Sequence, residues 1–294
     1  MTLAPADTQA LLAVAVSAAR EAGRFIARTR PTTIASKAGG QTLASQVVTD
    51  IDERSQALIL DALAPTLEAF DLAVLTEERE DDGTRQHRDY FWCIDPLDGT
   101  LPFVEGRAGY AVSIALVSRD GTPQLGAVHD PAQDTLYQAG VGLGLFRDEH
   151  PWAPTSRGTT LRIFADRSLS GSASYRDLVA GLERIAEELG LDAVDIQATG
   201  AAVSNACRVL ASGPASYFKL PTPRPGGGSL WDFAATACMF REAGAVATDI
   251  HGQPLDLNRV DSTFMNHRGI LFATDEVLAA KIRALFIALA RPER

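Results

Sequence analysis

The amino-acid sequence predicts a mixed α/β protein, with an α+β first half and an α/β second half. Two helical stretches open the chain and are followed by strand-like runs joined by short turns, which is an α+β arrangement. Beyond residue 160, strand-like and helical runs alternate, which is typical of an α/β layer. The chain has 294 residues, 46% of them hydrophobic and 22% charged, so it is long enough to bury a substantial core.

The first half predicts two helices and then a set of strands. Residues 7–30 indicate a helix that Pro31 ends. Residues 47–63 indicate a short extended piece that leads into a second helix, because the later apolar positions share one helical face. The strand-like runs are FDLAVLTEERED (70–81), DYFWCID (89–95) and a series of hairpin strands over 109–146, with Asp120-Gly121 as a turn.

A polar segment rich in turn-forming residues, 147–160, separates the two halves. We therefore expect one domain over 1–155 and a second over 156–294. The second half predicts strands over 161–166, 193–197, 215–220 and 244–250 and helices over 174–189, 200–212 and 231–243. The loop 221–229, PTPRPGGGS, is too short to be a linker between domains.

The net charge and the cysteine content indicate which compartment and which partners to expect. The net charge of −10 argues against binding a nucleic acid polymer, which requires basic patches that neutralise phosphates. No apolar run approaches the roughly 20 residues that span a bilayer. Three cysteines far apart in sequence, with no Cys-x-x-Cys pair, favour a reducing compartment. We expect a cytoplasmic protein that does not associate with membranes.

Acidic residues cluster where predicted strands or helices end, at Asp50/Asp52, Glu77/Glu78, Asp95/Asp98 and Asp232. Grouped carboxylates repel one another and need a cation to stay together at neutral pH. The segment DPLDGT is the most informative, because Pro96 and Gly99 make a rigid turn that carries two acids out of an apolar strand. This pattern favours an all-oxygen site for a hard cation. Asp81 and Asp82, by contrast, are interpreted as a solvated turn.

Other reaction classes find little support in the sequence. There is no Gly-x-Ser-x-Gly segment and no Gly-Lys-Ser/Thr phosphate loop. The glycine pattern GVGLG at 140–144 indicates a hairpin turn, and the five histidines form no ligand pattern. The Thr100 hydroxyl either caps a helix or orients a water molecule for hydrolysis. An aspartyl-phosphate enzyme would place its two acids two positions apart, whereas Asp95 and Asp98 are three apart.

The segments DPLDGT (95–100) and WDFAATACMFREAGAVATD (231–249) closely resemble the two signatures of the inositol monophosphatase superfamily. VVTDID, LTEE and TGAAVSNACRVLASGPASYF resemble further segments of the family, in the same order along the chain. The resemblance implies a layered αβαβα sandwich and a Mg²⁺-dependent, lithium-sensitive phosphatase with two or three Mg²⁺ ions. Dimers are common among such proteins, so a homodimer is possible.

The resemblance also assigns roles to residues. It implies that the metal ligands are Glu77, Asp95, the carbonyl of Leu97, Asp98 and Asp232. Asp52 matches a further acid near an additional Mg²⁺, while Glu77 and Thr100 match the pair that activates the attacking water. The residues that match substrate contacts are Gly99 and Thr100 for phosphate, Gly200, Ala201 and Ala202 for the leaving group, and Lys37 upstream of the metal site.

The sequence departs from the family at positions that bear on the substrate. Lys219 stands where inositol monophosphatases have a glutamate that binds sugar hydroxyls, and it is followed by Arg224 and GGGS. A lysine offers only donors, which suits an anionic group. The expected activity is therefore a 3′(2′),5′-bisphosphate nucleotidase, with inositol 1-phosphate or a related sugar phosphate as the alternative substrate. A surface role for Lys219 stays open, as does a non-catalytic sensor of phosphorylated metabolites.

Overall fold

The computed structural model describes residues 2–29, 43–154, 157–171 and 174–289, and the side chains of 43–49 and 168 are not described. Helices and sheets are stacked in five layers. The helices in the described residues are α1 (Pro5–Arg28), α2 (Leu43–Phe70), α3 (Thr100–Val104), α4 (Tyr175–Glu188), α5 (Ala202–Ala211), α6 (Leu230–Glu242) and α7 (Glu276–Leu289). Short 3-10 helices lie at Thr84–Gln86 and Arg167–Gly171.

The first sheet has seven strands in chain order. They are β1 (Ala73–Thr76), β2 (Tyr90–Asp98), β3 (Ala111–Ser118), β4 (Pro123–Asp130), β5 (Thr135–Gly140), β6 (Gly144–Arg147) and β7 (His150–Pro151). Only β1 and β2 pair in parallel; every later neighbour is antiparallel. The hairpin turn between β3 and β4 contains Asp120 and Gly121, as the sequence predicts.

The second sheet has five strands in the order β11-β12-β10-β8-β9. Their bounds are β8 (Thr160–Phe164), β9 (Ala193–Gln197), β10 (Ala215–Lys219), β11 (Val246–Thr248) and β12 (Ile270–Ala273). The three strands β9, β8 and β10 are parallel neighbours, whereas β12 runs antiparallel to both β10 and β11. Alternating strands and helices thus build this sheet, as an α/β half requires.

Three apolar clusters hold the layers together. The first lies between α1, α2 and one face of the first sheet, and the second surrounds α5 and α6 between the two sheets. The third lies between the outer face of the second sheet and helices α4 and α7. Strand β2 contributes side chains to the first two clusters, because Trp92 faces α1 and α2 whereas Phe91 and Cys93 face α6. The layer order is αβαβα, so the predicted fold class is confirmed.

The helix α1 shows why these layers form. Its buried residues recur every three or four positions, which places them on one face against the sheet. Helix α6 also lies close to the first sheet, since a Cβ atom on Gly126 would lie 2.5 Å from the carbonyl oxygen of Ala235. This close packing fixes α6, and with it the residues at its start.

The structure differs from the sequence-based prediction in several elements. The predicted extended piece at residue 47 is wrong, since α2 is helical from Leu43. The strand before Pro96 does not stop there, because β2 continues to Asp98. The last strand and helix, β12 and α7, were not predicted.

The chain passes from the first sheet to the second between Pro151 and Thr160, near the predicted boundary. Because α6 packs against strands of both sheets, the division into domains 1–155 and 156–294 stays a prediction. No described helix is long and apolar enough to cross a membrane.

Candidate active site

A β-bulge in β2 brings two predicted metal ligands to the same face of the sheet. Residues three apart in a regular strand point to opposite faces. Here Asp95 pairs with Ser113 and Asp98 with Ala111, so two residues of β2 oppose one residue of β3. Pro96 lies in the bulge, where the missing backbone N–H leaves no ladder bond unmade. Both carboxylates consequently face the space between the sheets.

The third acid of the cluster comes from the other half of the chain. Asp232 lies in the first turn of α6, where its Oδ2 accepts a 3.0 Å hydrogen bond from the backbone N–H of Ser229. Carboxylate oxygens of Asp95, Asp98 and Asp232 all lie within 4.8 Å of one another. The strand end, the bulge and the helix start therefore create one compact group of oxygen ligands.

Backbone groups hold two of these carboxylates in place. The N–H of Leu97 donates to Oδ1 of Asp95 at 3.0 Å. The N–H of Val203, in the first turn of α5, donates to Oδ2 of Asp98 at 2.8 Å. Each carboxylate keeps a second oxygen for another ligand. The backbone of Leu97, predicted to supply a carbonyl ligand, thus lies beside the cluster.

Burial and mutual repulsion raise the pKa values of the clustered acids. Burial raises the pKa of Asp95 well above its usual range, and the carboxylates of Glu77, Asp98 and Asp232 raise it further. Burial and then Asp232 likewise raise the pKa of Asp98. Each shift means that negative charge is costly here without a counter-charge. Such a group of carboxylates fits a site for cations.

Glu77 follows β1 directly and reaches the edge of the cluster. Its backbone N–H bonds to the carbonyl of Ile94 on β2 at 3.3 Å, which places it beside Asp95. Desolvation, followed by the charges of Asp232 and Glu78, raises its pKa to about 7. This shift means that the neighbouring acids crowd the Glu77 carboxylate with negative charge, which a cation would offset.

Asp52 lies on α2 and presents a second acidic position. It is buried, and its Oδ1 has no hydrogen-bond partner among the described residues. Burial, and then the charges of Glu78 and Glu77, raise its pKa to about 8. A buried carboxylate oxygen without a partner is costly, and a cation would satisfy it. Asp50, the other acid of this segment, is exposed.

The oxygen donors fit hard divalent cations such as Mg²⁺. All side chains of the group are carboxylates, and the group that they form includes no nitrogen or sulfur ligand in the described residues. The unpartnered oxygen of Asp52 and the raised pKa values both indicate acids that ionise readily at neutral pH only when a counter-charge lies beside them. The structure thus supports a cation site without fixing how many ions occupy it.

Gly99 and Thr100 follow Asp98 directly, and α3 begins at Thr100. Gly99 has a φ of 91°, and an added Cβ would lie 2.8 Å from the carbonyl oxygen of Gly109 and 2.9 Å from the Cβ of Ala201. Only glycine allows this conformation and this close approach. Thr100 is exposed, and its hydroxyl makes no hydrogen bond to another described residue, so the cap that its residue type allowed does not form.

The predicted leaving-group segment lies next to this turn. Gly200 and Ala201 precede α5, which begins at Ala202. The N–H of Ala201 donates to the carbonyl of Gly109 at 3.1 Å, so this segment lies against the loop that follows α3. Gly99 and Gly200–Ala202 consequently line the same side of the acid cluster.

Lys219 ends β10 and is paired with an acid that sequence reasoning did not identify. Its Nζ lies 3.0 Å from Oδ2 of Asp166, and the lysine side chain is 15% exposed. The ammonium lowers the pKa of both Asp98 and Asp232 against the effect of burial, so it lies within electrostatic range of the cluster. Lys219 is therefore not a free surface lysine. No sequence motif marks Asp166; its proximity follows from the pairing of β8 with β10.

The structure brings together most of the predicted site residues. They are Asp52, Glu77, Asp95, Leu97, Asp98, Gly99, Thr100, Gly200, Ala201, Ala202, Lys219 and Asp232. Lys37 lies outside the described residues. The roles of these residues in binding and catalysis stay predictions.

Comparison with known proteins supports the same class of site. The sequence profile of the Inositol monophosphatase family matches residues 7–286. Nus factor SuhB of Escherichia coli strain K12 is 32% identical over 248 residues, which cover 82% of this chain and 86% of that protein. The fructose-1,6-bisphosphatase/inositol-1-monophosphatase of Thermotoga maritima is 29% identical over 236 residues, 79% of this chain and 81% of that protein.

A solved structure shows the same fold. The inositol monophosphatase from Anabaena (Nostoc) sp. PCC 7120 superposes with a TM-score of 0.68 at 23% identity, covering 95% of this chain and 96% of that one. The family match makes the protein a phosphatase, a hydrolase of phosphoric monoesters, and the layered fold and the acid cluster agree with that class. The chain belongs to the inositol monophosphatase family, whose members depend on magnesium.

Proposed function

We propose that the protein hydrolyses a small phosphate monoester by direct attack of water, with two or three Mg²⁺ ions held by the acid cluster. The observation that carries the proposal is the group of buried Asp95 and Asp98 with half-buried Asp232, whose oxygens lie within 4.8 Å of one another. Glu77 and the carbonyl of Leu97 would complete the ligands of this group, and Asp52 would face a further ion. Intact acids at all these positions argue against a non-catalytic sensor.

The protein residues position the reactants and move protons. Bound Mg²⁺ lowers the pKa of water and offsets the charge of the phosphate. Glu77 would take the proton from the attacking water, since its position next to Ile94 and Asp95 places it at the edge of the cluster. The free hydroxyl of Thr100 orients that water, and the backbone at Gly99 and Thr100 binds phosphate oxygens. The segment Gly200–Ala202 lines the side of the site that holds the leaving group.

Lys219 and Asp166 favour a leaving group with hydroxyl groups over one with a second phosphate. An ammonium donates hydrogen bonds and a carboxylate accepts them, so the pair matches a hydroxyl, which does both. A second phosphate would gain less attraction from Lys219, because Oδ2 of Asp166 lies 3.0 Å from Nζ of the lysine and already compensates its charge. A cavity of about 320 Å³ adjoins the pair and is lined by Leu169, Phe218 and Thr222 among others.

The proposed substrate is accordingly a polyol monophosphate such as inositol 1-phosphate. The printed name of the Thermotoga maritima relative, a fructose-1,6-bisphosphatase/inositol-1-monophosphatase, supports this choice. The bisphosphate nucleotidase that the sequence favours becomes the second candidate. Its main argument is that Lys219 offers only hydrogen-bond donors, which Asp166 now balances with an acceptor, and neither curated relative named above is such an enzyme.

A phosphate-release panel tests both levels of the proposal. Purified protein is assayed with inositol 1-phosphate, fructose 1,6-bisphosphate and adenosine 3′,5′-bisphosphate, with Mg²⁺ and with EDTA. We expect release that requires Mg²⁺ and is fastest with inositol 1-phosphate. Faster hydrolysis of the nucleotide would overturn the substrate choice alone. No release from any substrate with Mg²⁺ present would refute the proposed activity.

A matched pair of variants tests whether Glu77 takes part in the reaction, as a base or as a metal ligand. Glu77→Gln should reduce kcat by about 10²–10⁴-fold, the usual contribution of a positioned base. Glu80→Gln changes an exposed glutamate three residues later in the same connection and should leave kcat unchanged. Equal kcat values for Glu77→Gln and the wild type would remove Glu77 from the mechanism.

A further inference from the structure

A buried arginine lies in the connection that begins with Glu77 and ends at β2. Arg85, in the short 3-10 helix at Thr84–Gln86, is only 2% exposed and is the one buried lysine or arginine in the described part of the chain. Its Nε donates to Oδ2 of Asp81 at 2.8 Å. Burying a guanidinium is costly unless its donors are satisfied, so its other partners determine what it does.

Those other partners come from the second half of the chain. Arg85 donates to the side-chain oxygen of Asn258 and, at 2.8 Å, to the carbonyl of Arg259. Gln86 also donates to the side-chain oxygen of Asn258, at 3.0 Å. In return, the amide of Asn258 donates to the carbonyl of Arg119 in the turn between β3 and β4, at 2.8 Å. The loop at Asn258 is thereby joined to two segments of the first half.

This network connects elements on both sides of the acid cluster. The short 3-10 helix that contains Arg85 packs against β1, the strand that Glu77 follows directly. The loop that begins at Asn258 holds the start of α6, because the N–H of Leu230 donates to the carbonyl of Thr263 at 2.9 Å. Arg85 and Asn258 therefore join the segment of Glu77 to the loop that holds the helix of Asp232.

We propose that Arg85 is a positioning residue that, through Asn258, fixes the segment beginning at Glu77 against the second half of the chain. Glu77 follows a strand of the first sheet, whereas Asp232 starts a helix of the second half. Their separation depends on how the halves are held together. Arg85 links the two halves with hydrogen bonds shielded from water, which are stronger and more directional than surface contacts. This role rests on the proposed function.

The test compares two arginines of the same segment. Arg85→Met removes the buried donors, while Arg88→Met removes an arginine that pairs with Asp71 at the surface and serves as the control. We expect Arg85→Met to bind Mg²⁺ about tenfold or more weakly in calorimetric titrations, the scale of a lost supporting contact at a metal site. At saturating Mg²⁺ its kcat should fall by about 10–100-fold with KM nearly unchanged, as misplacement of a catalytic group predicts. Arg88→Met should match the wild type in all three measurements.

Additional variants keep the test decisive if Arg85→Met does not fold. Asn258→Ser removes the amide but leaves Arg85 its bonds to Asp81 and to the carbonyl of Arg259, and it should show the same losses to a smaller degree. Arg85→Lys should recover part of the Mg²⁺ affinity. A folded Arg85→Met or Asn258→Ser protein with wild-type Mg²⁺ affinity and kcat would overturn the proposal, even if it unfolds at a lower temperature.

Mg²⁺ calorimetry separates this proposal from the proposed activity. If the wild type binds Mg²⁺ but hydrolyses no phosphate monoester, the activity is refuted, while the affinities of the variants still decide the role of Arg85. If the wild type is active and Arg85→Met equals it in affinity and turnover, only the role of Arg85 is refuted.

Discussion

Asp98 and Val203 join the two halves of the chain directly at the acid cluster. Oδ2 of Asp98, at the end of β2, accepts a 2.8 Å hydrogen bond from the backbone N–H of Val203, in the first turn of α5. One carboxylate oxygen thus holds the fold together, and the other stays available to the cluster. The two functions can be separated, because the hydrogen bond needs an oxygen acceptor whereas cation binding needs the charge.

The variant Asp98→Asn should lose activity and gain stability. Its amide oxygen can still accept from Val203, so the junction is kept, but a cation ligand loses its charge. We expect Mg²⁺ affinity and kcat to fall by at least about 100-fold, comparable to removing one preorganised group from an active site. In EDTA the melting temperature should rise, because one member of a group of mutually repelling buried acids is neutralised.

The control for this prediction is Asp82→Asn, which alters an exposed acid that accepts a hydrogen bond from the backbone N–H of Thr84. It should leave Mg²⁺ affinity and kcat unchanged. Wild-type Mg²⁺ affinity in Asp98→Asn would contradict the assignment of Asp98 to the metal site.

Short motifs made much of this site predictable. DPLDGT and the Trp-Asp pair at 231–232 specify ligand types, and the residue types of Pro96 and Gly99 by themselves indicate an unusual backbone. The bulge was not predictable, because it depends on how β2 aligns with β3, and register is a property of two strands. The sequence indicated a turn, whereas the structure has a continuous strand with one extra residue.

Other features were missed because they depend on distant contacts. Val47 and Val48 favour extended backbone locally, yet their backbone is part of the helix α2, which shows how weak a guide β propensity is. Asp81 and Asp82 both form the predicted turn, by accepting from the N–H groups of Gly83 and Thr84. Asp81 also pairs with buried Arg85, so it is not simply solvated. The sequence alone does not distinguish the two aspartates, because Arg85 bonds to Asn258, which is far away along the chain.

The pH dependence of stability should report the charge on Asp52. Its folded pKa of about 8 exceeds the usual aspartate value near 4, so the folded protein binds more protons than the unfolded chain between these values. The contribution of Asp52 to stability is therefore fully present below about pH 4 and is lost as the pH rises through 8. The slope for one such group reaches about 1.4 kcal/mol per pH unit.

The measurement is denaturant unfolding in EDTA from pH 6 to pH 8, for the wild type and for Asp52→Asn. We expect the wild type to lose more stability across this range, because the variant has no carboxylate to ionise. Adding Mg²⁺ should reduce the difference at pH 8, since ligands that bind the folded state stabilise it. Parallel pH profiles in EDTA would contradict the raised pKa.

Substrate preference should change when the partner of Lys219 is neutralised. In Asp166→Asn the ammonium loses its counter-charge, while an amide of similar shape remains beside it. An uncompensated lysine favours a second phosphate. We expect the ratio of kcat/KM for adenosine 3′,5′-bisphosphate to that for inositol 1-phosphate to rise by about tenfold, equivalent to about 1.4 kcal/mol.

Two further variants control for this interpretation. Lys219→Met should lower kcat/KM for both substrates, because it removes the donor altogether. Asp177→Asn alters an acid in the first turn of α4, outside the pair, and should not change the ratio. An unchanged ratio in Asp166→Asn would mean that the ion pair does not contact the substrate.

The packing of α6 against β4 connects core packing to the metal site. A Cβ on Gly126 would lie 2.5 Å from the carbonyl oxygen of Ala235 and 2.7 Å from its Cα. Since these are backbone atoms of a helix, they cannot turn aside as a side chain would. Gly126→Ala must displace α6, and overpacking of this kind costs about 1–3 kcal/mol of unfolding free energy.

Because Asp232 starts the same helix, the displacement should also weaken Mg²⁺ binding. Denaturant unfolding and Mg²⁺ titration of Gly126→Ala test the two effects together. The control is Gly171→Ala, where an added Cβ meets no heavy atom within 4 Å and the backbone has no positive φ. Gly171→Ala should be within about 0.5 kcal/mol of the wild type, as is usual for surface substitutions. If Gly126→Ala lost stability but kept full Mg²⁺ affinity, the position of Asp232 would not depend on where α6 meets the sheet.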